Sequence, residues 1–188
     1  PDPSFQMDRG TLNIGFSLSD APLSGTQTVL SRDSTGTTDG GYHIDILADG
    51  SVVVSHETPT GTQTFGTAAG FANPGDTVNL TYSWDQGGTG GSLQIDNQTT
   101  GGAFDQPVPN TLTMDQGGIN QPWIVGAGQS NSDPAVLNNI DQFFAGKVDV
   151  FSLSDTVDNQ NANQAPDAQP DTASTGQGDM VVIAVLAN

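Results

Sequence analysis

The sequence predicts an all-β fold, an antiparallel β-sandwich or jelly roll, and three observations predict it. Apolar residues alternate with polar ones in short runs bounded by Gly, Asn, Asp and Pro. No stretch keeps helical spacing for more than two turns. Of the 21 acidic residues all but Glu57 are Asp, the acid that favours turns and strand ends where Glu favours helices.

Eight strands follow in order: 11–18 (TLNIGFSL), 27–31 (QTVLS), 41–48 (GYHIDILA), 51–57 (SVVVSHE), 77–84 (TVNLTYSW), 92–96 (SLQID), 122–126 (PWIVG) and 145–153 (AGKVDVFSL). Short strands at this spacing make a two-sheet architecture. Between the third and fourth, Asp49-Gly50 has the composition of a two-residue type I′ hairpin. That turn pairs Ala48 with Ser51, Asp45 with Val54 and His43 with His56, and leaves Tyr42, Ile44, Ile46 and Val53 on the other face.

Residues 1–157 are expected to form one domain. From 158 to 175 the chain is rich in Asn, Gln, Asp, Pro and Ala and reads as a polar linker, too poor in large apolar residues to offset backbone ordering. Residues 176–188 then read as the first strand of a truncated repeat, with eight consecutive apolar residues at 180–187. An unpaired strand of this kind invites pairing with a neighbouring copy.

Only Arg9, Arg32 and Lys147 are basic, and the net charge of −18 excludes nucleic acid and anionic membrane as electrostatically driven partners. So many carboxylates call for hard, oxygen-ligated counter-ions, of which calcium is the natural one. There is no cysteine, so neither disulfide nor thiolate metal site is available. No apolar run reaches the roughly 20 residues that span a bilayer. The start, Pro1-Asp2-Pro3-Ser4-Phe5, lacks the pattern of a signal peptide, and the chain reads as excised from something longer.

The segment from Gly25 through Ser31-Arg32-Asp33, then Asp39-Gly40-Gly41-Tyr42 to Val54, resembles the opening strands of bacterial laminin-G-like domains of the concanavalin-A superfamily. Gly75-Asp76-Thr77-Val78-Asn79-Leu80-Thr81-Tyr82, Ser92 to Asn97, and Phe144 to Asp149 resemble later strands of that family. The tail from Ala165 resembles the start of the cadherin-like tandem repeats of large secreted adhesins of the RTX type. The resemblance implies a secreted or cell-surface adhesion module that binds a glycan or surface polymer and uses calcium. It also implies that calcium sits at one rim, beside Asp33 and Asp39.

The residues themselves offer several chemistries. The loops 32–41 and 129–141 are rich in carboxylate, amide and backbone oxygens on Gly and Ser frames, a set that suits calcium and nominates Asp33, Asp39, Asn139 and Asp141; Asp as a plain turn former is the competing reading. Trp84 and Trp123, with Gln129 and Asn131, are the candidates for holding a sugar, ring against the C–H face and amides against hydroxyls. Core packing competes for Trp84, which continues the Val78 and Leu80 face. His43 and His56, with Asp45 diagonally adjacent, are potential transition-metal ligands or a hydrogen-bonded pair. Asn79-Leu80-Thr81 and Asn97-Gln98-Thr99 fit the glycan acceptor pattern.

An enzyme is disfavoured. Glycoside hydrolysis usually needs two carboxyls on one face, and the single Glu cannot supply the Glu-x-Asp-x-x-Glu strand that the glycosidases of the resembled superfamily share. There is no Gly-x-Ser-x-Gly elbow, and Gly87-Gly88-Thr89-Gly90-Gly91 lacks a phosphate loop's Lys. The leading expectation is a non-catalytic, calcium-dependent recognition module. Its rivals are a polysaccharide hydrolase or lyase, and a fibre subunit that donates residues 180–187 to its neighbour.

Overall fold

A computed structural model describes residues 9–32, 41–58, 61–85, 87–109, 123–129 and 140–157. The expected linker and the apolar strand at 180–187 lie outside the described residues. Twelve strands occur in these segments: β1 (Arg9–Leu18), β2 (Gln27–Arg32), β3 (Tyr42–Ile46), β4 (Val52–Thr58), β5 (Gly61–Gly66), β6 (Thr77–Asp85), β7 (Gly91–Asn97), β8 (Ala103–Val108), β9 (Ile124–Val125), β10 (Gly128–Gln129), β11 (Ile140–Asp141) and β12 (Gly146–Ser154). They form one five-stranded sheet ordered β12-β1-β6-β7-β8 and a second ordered β5-β4-β3-β2-β9, with β10-β11 as a separate pair. The architecture is the antiparallel β-sandwich expected.

Period-two alternation decides which side chains face inward. From the first sheet come Leu12, Ile14, Phe16 and Leu18 of β1, and Val78, Leu80, Tyr82 and Trp84 of β6; from the second come Tyr42, Ile44 and Ile46 of β3, and Val52 and Val54 of β4. All are buried in one apolar cluster. Removing that area from water is the main stabilising term of the fold, at roughly 25 cal/mol per Å².

The β3–β4 hairpin differs from the expectation by one residue. Leu47 N–H donates to Ser51 O at 3.0 Å and Gly50 N–H to Leu47 O at 2.9 Å, so the loop has three residues. Only Gly50 takes a positive φ, +79°, as in a type I turn followed by a glycine bulge. A Cβ at Gly50 would stand 2.5 Å from the Ala72 carbonyl oxygen, so glycine is required twice over. The slip pairs Tyr42 with His56, Ile44 with Val54 and Ile46 with Val52. Val53 therefore faces outward, and His56 faces the core, away from His43.

The segment 142–145 closes the seam between the sheets. Thr28 N–H donates to Gln142 O at 2.7 Å, Phe144 N–H to Gly126 O at 2.9 Å, and Ser19 N–H to Ala145 O at 2.9 Å. The Phe144 ring meets Phe16 edge-on, with centroids 5.7 Å apart.

Candidate functional site

Because Tyr42, Ile44 and Ile46 face the core, the residues between them face out, and the β2–β3 register sets Asp45 beside Thr28 and His43 beside Ser31. The Thr28 hydroxyl donates to Asp45 Oδ1 at 2.7 Å and lies 2.9 Å from the Gln142 amide oxygen position. A hydroxyl has one proton to give, so the second contact is satisfied when the Gln142 amide presents its NH₂ there. His43 Nδ1 is 3.9 Å from Asp45 Oδ1, both side chains being partly accessible. Ser55 of β4 extends the row beyond His43.

The chain from 123 to 129 folds over this face. Ser31 donates through Oγ to the Ala127 carbonyl at 2.9 Å. A Cβ at Gly128 would come within 2.9 Å of both Thr28 Oγ1 and Gln142 Oε1, so its absence lets β10 approach the sheet. Gln142 holds a φ of 50°, left-handed backbone that a side chain resists and that surrounding contacts must enforce. Phe143, next in the chain, is 68% exposed. Asp141, paired with Gly128 across β10–β11, has a buried Oδ1 with no hydrogen-bond partner. The result is a polar crevice of hydroxyl, amide, imidazole and carboxylate groups beside one exposed aromatic ring.

The residues nominated from sequence fall in several places. Trp84 has no exposed surface and stacks on Tyr82 at 5.7 Å, which makes it a core residue with no face for a sugar. Trp123 is half-buried. The Arg32 guanidinium lies 5.5 Å over its ring, and the rings of Tyr42 and Phe151 approach it at 5.8 Å and 6.3 Å. Gln129 is on β10, against Ile140. Asn131, Asp33, Asp39 and Asn139 lie outside the described residues. Among the described residues no group of three or more His, Cys, Asp or Glu is arranged to hold a metal ion. The His43–His56 ligand set is dissolved by the register slip, since His56 is buried with Nδ1 2.6 Å from the Tyr82 hydroxyl. Of the two glycan acceptor patterns, Asn97 is closed off, its Nδ2 donating to Phe71 O at 2.7 Å and Asp76 Oδ2 at 2.8 Å; Asn79 is exposed.

Gln142 and Phe143 were missed from the sequence. They lie outside the regular strands, where period-two alternation gives no guide to which ring faces out. In the core between the sheets, burial raises the phenols of Tyr42 on β3 and Tyr82 on β6 well above their ordinary range, with Tyr82 adding to the shift at Tyr42, and lowers Arg32.

No known protein family description matches the chain, and no curated protein matches it. Solved structures do share the fold. The CBM40 module of the Ruminococcus gnavus IT-sialidase, bound to α2,3-sialyllactose, superposes with a TM-score of 0.55 at 13% identity, over 84% of this chain and 80% of that one. A NanB sialidase variant from Streptococcus pneumoniae matches with a TM-score of 0.59 at 15% identity, over 85% of this chain and 24% of that one. The full-length tailspike protein 2 of an Escherichia coli O157:H7 bacteriophage matches at 0.52 and 13% identity, over 79% of this chain and 20% of that one. At these identities the likeness shows the sandwich fold.

Proposed function

We propose that this chain is a non-catalytic glycan-binding module, working at the cell surface or outside the cell. The observation that carries the reading is the outward crevice of His43, Asp45 and Gln142, held together by the buried Thr28 hydroxyl, with exposed Phe143 next in the chain. Sugars are held by this combination: carboxylate and amide groups take the hydroxyls, and an aromatic ring takes the apolar face. The neighbour bound to sialyllactose supports the class of ligand.

The charges around the crevice also narrow the sugar. Sialyllactose is an anion, whereas this crevice carries Asp45 and adjoins Asp141 in a chain of net charge −18. Arg9 is exposed at the far start of β1, Lys147 is ion-paired with Asp149, and Arg32 is 2% exposed. A neutral glycan fits these charges better than an acidic one.

Calcium belongs to the same proposal. Asp141 supplies the supporting observation, a buried carboxylate oxygen without a partner. Nothing at the site requires a reaction. Asp45 accepts a hydrogen bond from the Thr28 hydroxyl and stands 3.9 Å from the His43 imidazole, an arrangement that suits a binding role.

A glycan array covering neutral and sialylated sugars, run with calcium and with chelator, tests the reading. Asp45→Asn and His43→Ala should each weaken the best signal about tenfold, the worth of one charge-assisted hydrogen bond. Calcium should raise the melting temperature and magnesium much less, because magnesium demands a tight octahedron. Release of reducing ends from the bound polysaccharide would replace this proposal by a hydrolase. Melting indifferent to calcium and chelator would remove the metal.

A further inference from the structure

The outward face of the first sheet is assembled by register into two rows that cross all five strands. One row runs Val150, Gly15, Asn79, Asp96, Ala103. The next runs Ser152, Asn13, Thr81, Gln94, Asp105. With strands about 4.8 Å apart, each row is about 19 Å long.

Two clefts lie on these same rows. One, of about 300 Å³, is bounded by Asn13, Gly15, Asn79, Thr81 and Val150. It exists because β1 bulges against β12 between Gly15 and Phe16, and because Gly15 leaves a dent where a Cβ would stand 3.0 Å from Asn79 Oδ1. The other, of about 320 Å³, is bounded by Gln94, Asp96, Ala103 and Asp105 with Phe104.

The groups along the rows are amides and hydroxyls. Thr81 Oγ1 donates to Asn13 Oδ1 at 2.8 Å, which fixes that amide in place. The Asn79 and Gln94 amides make no hydrogen bond to the other described residues, so their donors and acceptors are turned to solvent. Val150, 57% exposed, adds an apolar spot in the middle of the polar floor. No cation stands in either row, and the two carboxylates are together at the β7–β8 end.

We propose that the two clefts are one groove, and that it binds an extended, neutral glycan chain lying across the strands. The spacing of the strands is close to the rise per residue of an extended β-linked pyranose chain, so successive sugars meet successive strands. Amides and hydroxyls address sugar hydroxyls, and Val150 addresses a C–H face. An acidic polysaccharide is disfavoured by Asp96, Asp105 and the overall negative charge. This groove lies on the opposite outward face from the crevice of Asp45 and His43, so the two can be tested apart.

The test is affinity electrophoresis of the full chain through gels containing a linear β-glucan, xylan or mannan, with polygalacturonate as the acidic comparison. Retardation by at least one neutral polymer and by no acidic one is expected. Asn79→Ala and Gln94→Ala should each weaken it several-fold to tenfold while leaving thermal melting unchanged. The proposal is overturned by retardation that ignores Asn79→Ala and Gln94→Ala, by preference for polygalacturonate, or by no retardation at all. It is equally overturned by a dimer in sedimentation velocity that Asn79→Lys dissolves, which would make this face a contact between copies. Array binding that is lost in Asp45→Asn without any gel retardation would sink the groove and leave the crevice standing.

Discussion

The two ends of the sandwich use polar residues in opposite ways. At the end holding the β3–β4 turn and the start of β6, Asp49, Asp76 and Asn97 are spent on the turn backbone and on neighbouring side chains. Asp49 Oδ1 accepts from Ser51 N–H at 3.0 Å and from its hydroxyl at 2.7 Å. Asp76 Oδ2 accepts from Asn73 N–H at 2.9 Å and Asn97 Nδ2 at 2.8 Å, and Asn97 Oδ1 accepts from Thr99 and Thr100 N–H, both at 3.0 Å. At the other end, where β2, β4 and β6 finish, Arg32, Tyr42, His56, Tyr82, Trp84 and Trp123 pack together. There the Tyr42 hydroxyl and the Trp123 Nε1 are buried without partners. The contrast teaches where to look for chemistry in an Asp-rich chain: an acid whose lone pairs are taken by N–H groups is a turn, and Asp141, with a buried oxygen left over, is something else.

The sharpest way to break this contrast is to empty the aromatic end. Trp84→Ala removes the largest fully buried side chain and should cost about 3–5 kcal/mol in urea unfolding. A loss under about 1 kcal/mol would show that the end is not packed as described.

High pH probes the same end more gently. The chain has two tyrosines, both fully buried with phenols held above their ordinary range. The folded pKa values lie above the unfolded ones, so this contribution is intact below about pH 10 and is lost as pH rises through the folded values. Absorbance of phenolate should therefore appear together with unfolding by circular dichroism. Ionisation of either tyrosine ahead of unfolding would place it at the surface.

At the turn end the expected effect is smaller. Asp76→Ala leaves Asn97 Nδ2 and Asn73 N–H short of an acceptor and should destabilise by about 1–3 kcal/mol, without altering glycan binding on either outward face. A loss of binding in a variant that melts normally would carry the turn end into the functional surface.

The sandwich was legible where strands are flanked on both sides, because β1, β3, β6 and β7 must bury one face and alternate cleanly. Of the strands the sequence hid, β5 and β8 are each one edge of a five-stranded sheet, and β10 and β11 are the short separate pair. β5, GTQTFG, contributes one large apolar side chain, Phe65, and β8, AFDQPV, contains Pro107, which an edge tolerates because one side of its backbone needs no ladder partner. The hairpin was recognised but misregistered, since Asp-Gly serves a two-residue loop and a three-residue loop equally well, and only packing of Val52 and Val54 into the core decides between them. Of the candidate site, Asp45, His43 and Asp141 had been singled out. Gln142 and Phe143 were not, because their roles come from the chain crossing back over β2, a contact 114 residues apart between Thr28 and Gln142 that no local pattern announces.

The pairing of β1 sets the tempo at which the molecule can assemble. Its two neighbours in the sheet are β6 and β12, so Asn13 waits first for Thr81 and then for Ser152. A strand emerging early from the ribosome thus has no partner nearby, and at roughly 5–20 residues per second it remains uncovered for several seconds before the last strand follows. Closing so long a loop before any contact rewards it makes such topologies slow to fold. Until then the alternating face of Leu12, Ile14 and Phe16 is open to any other nascent strand, and a holdase that shields it would act on the first-made strand of the sandwich rather than on its finished surface.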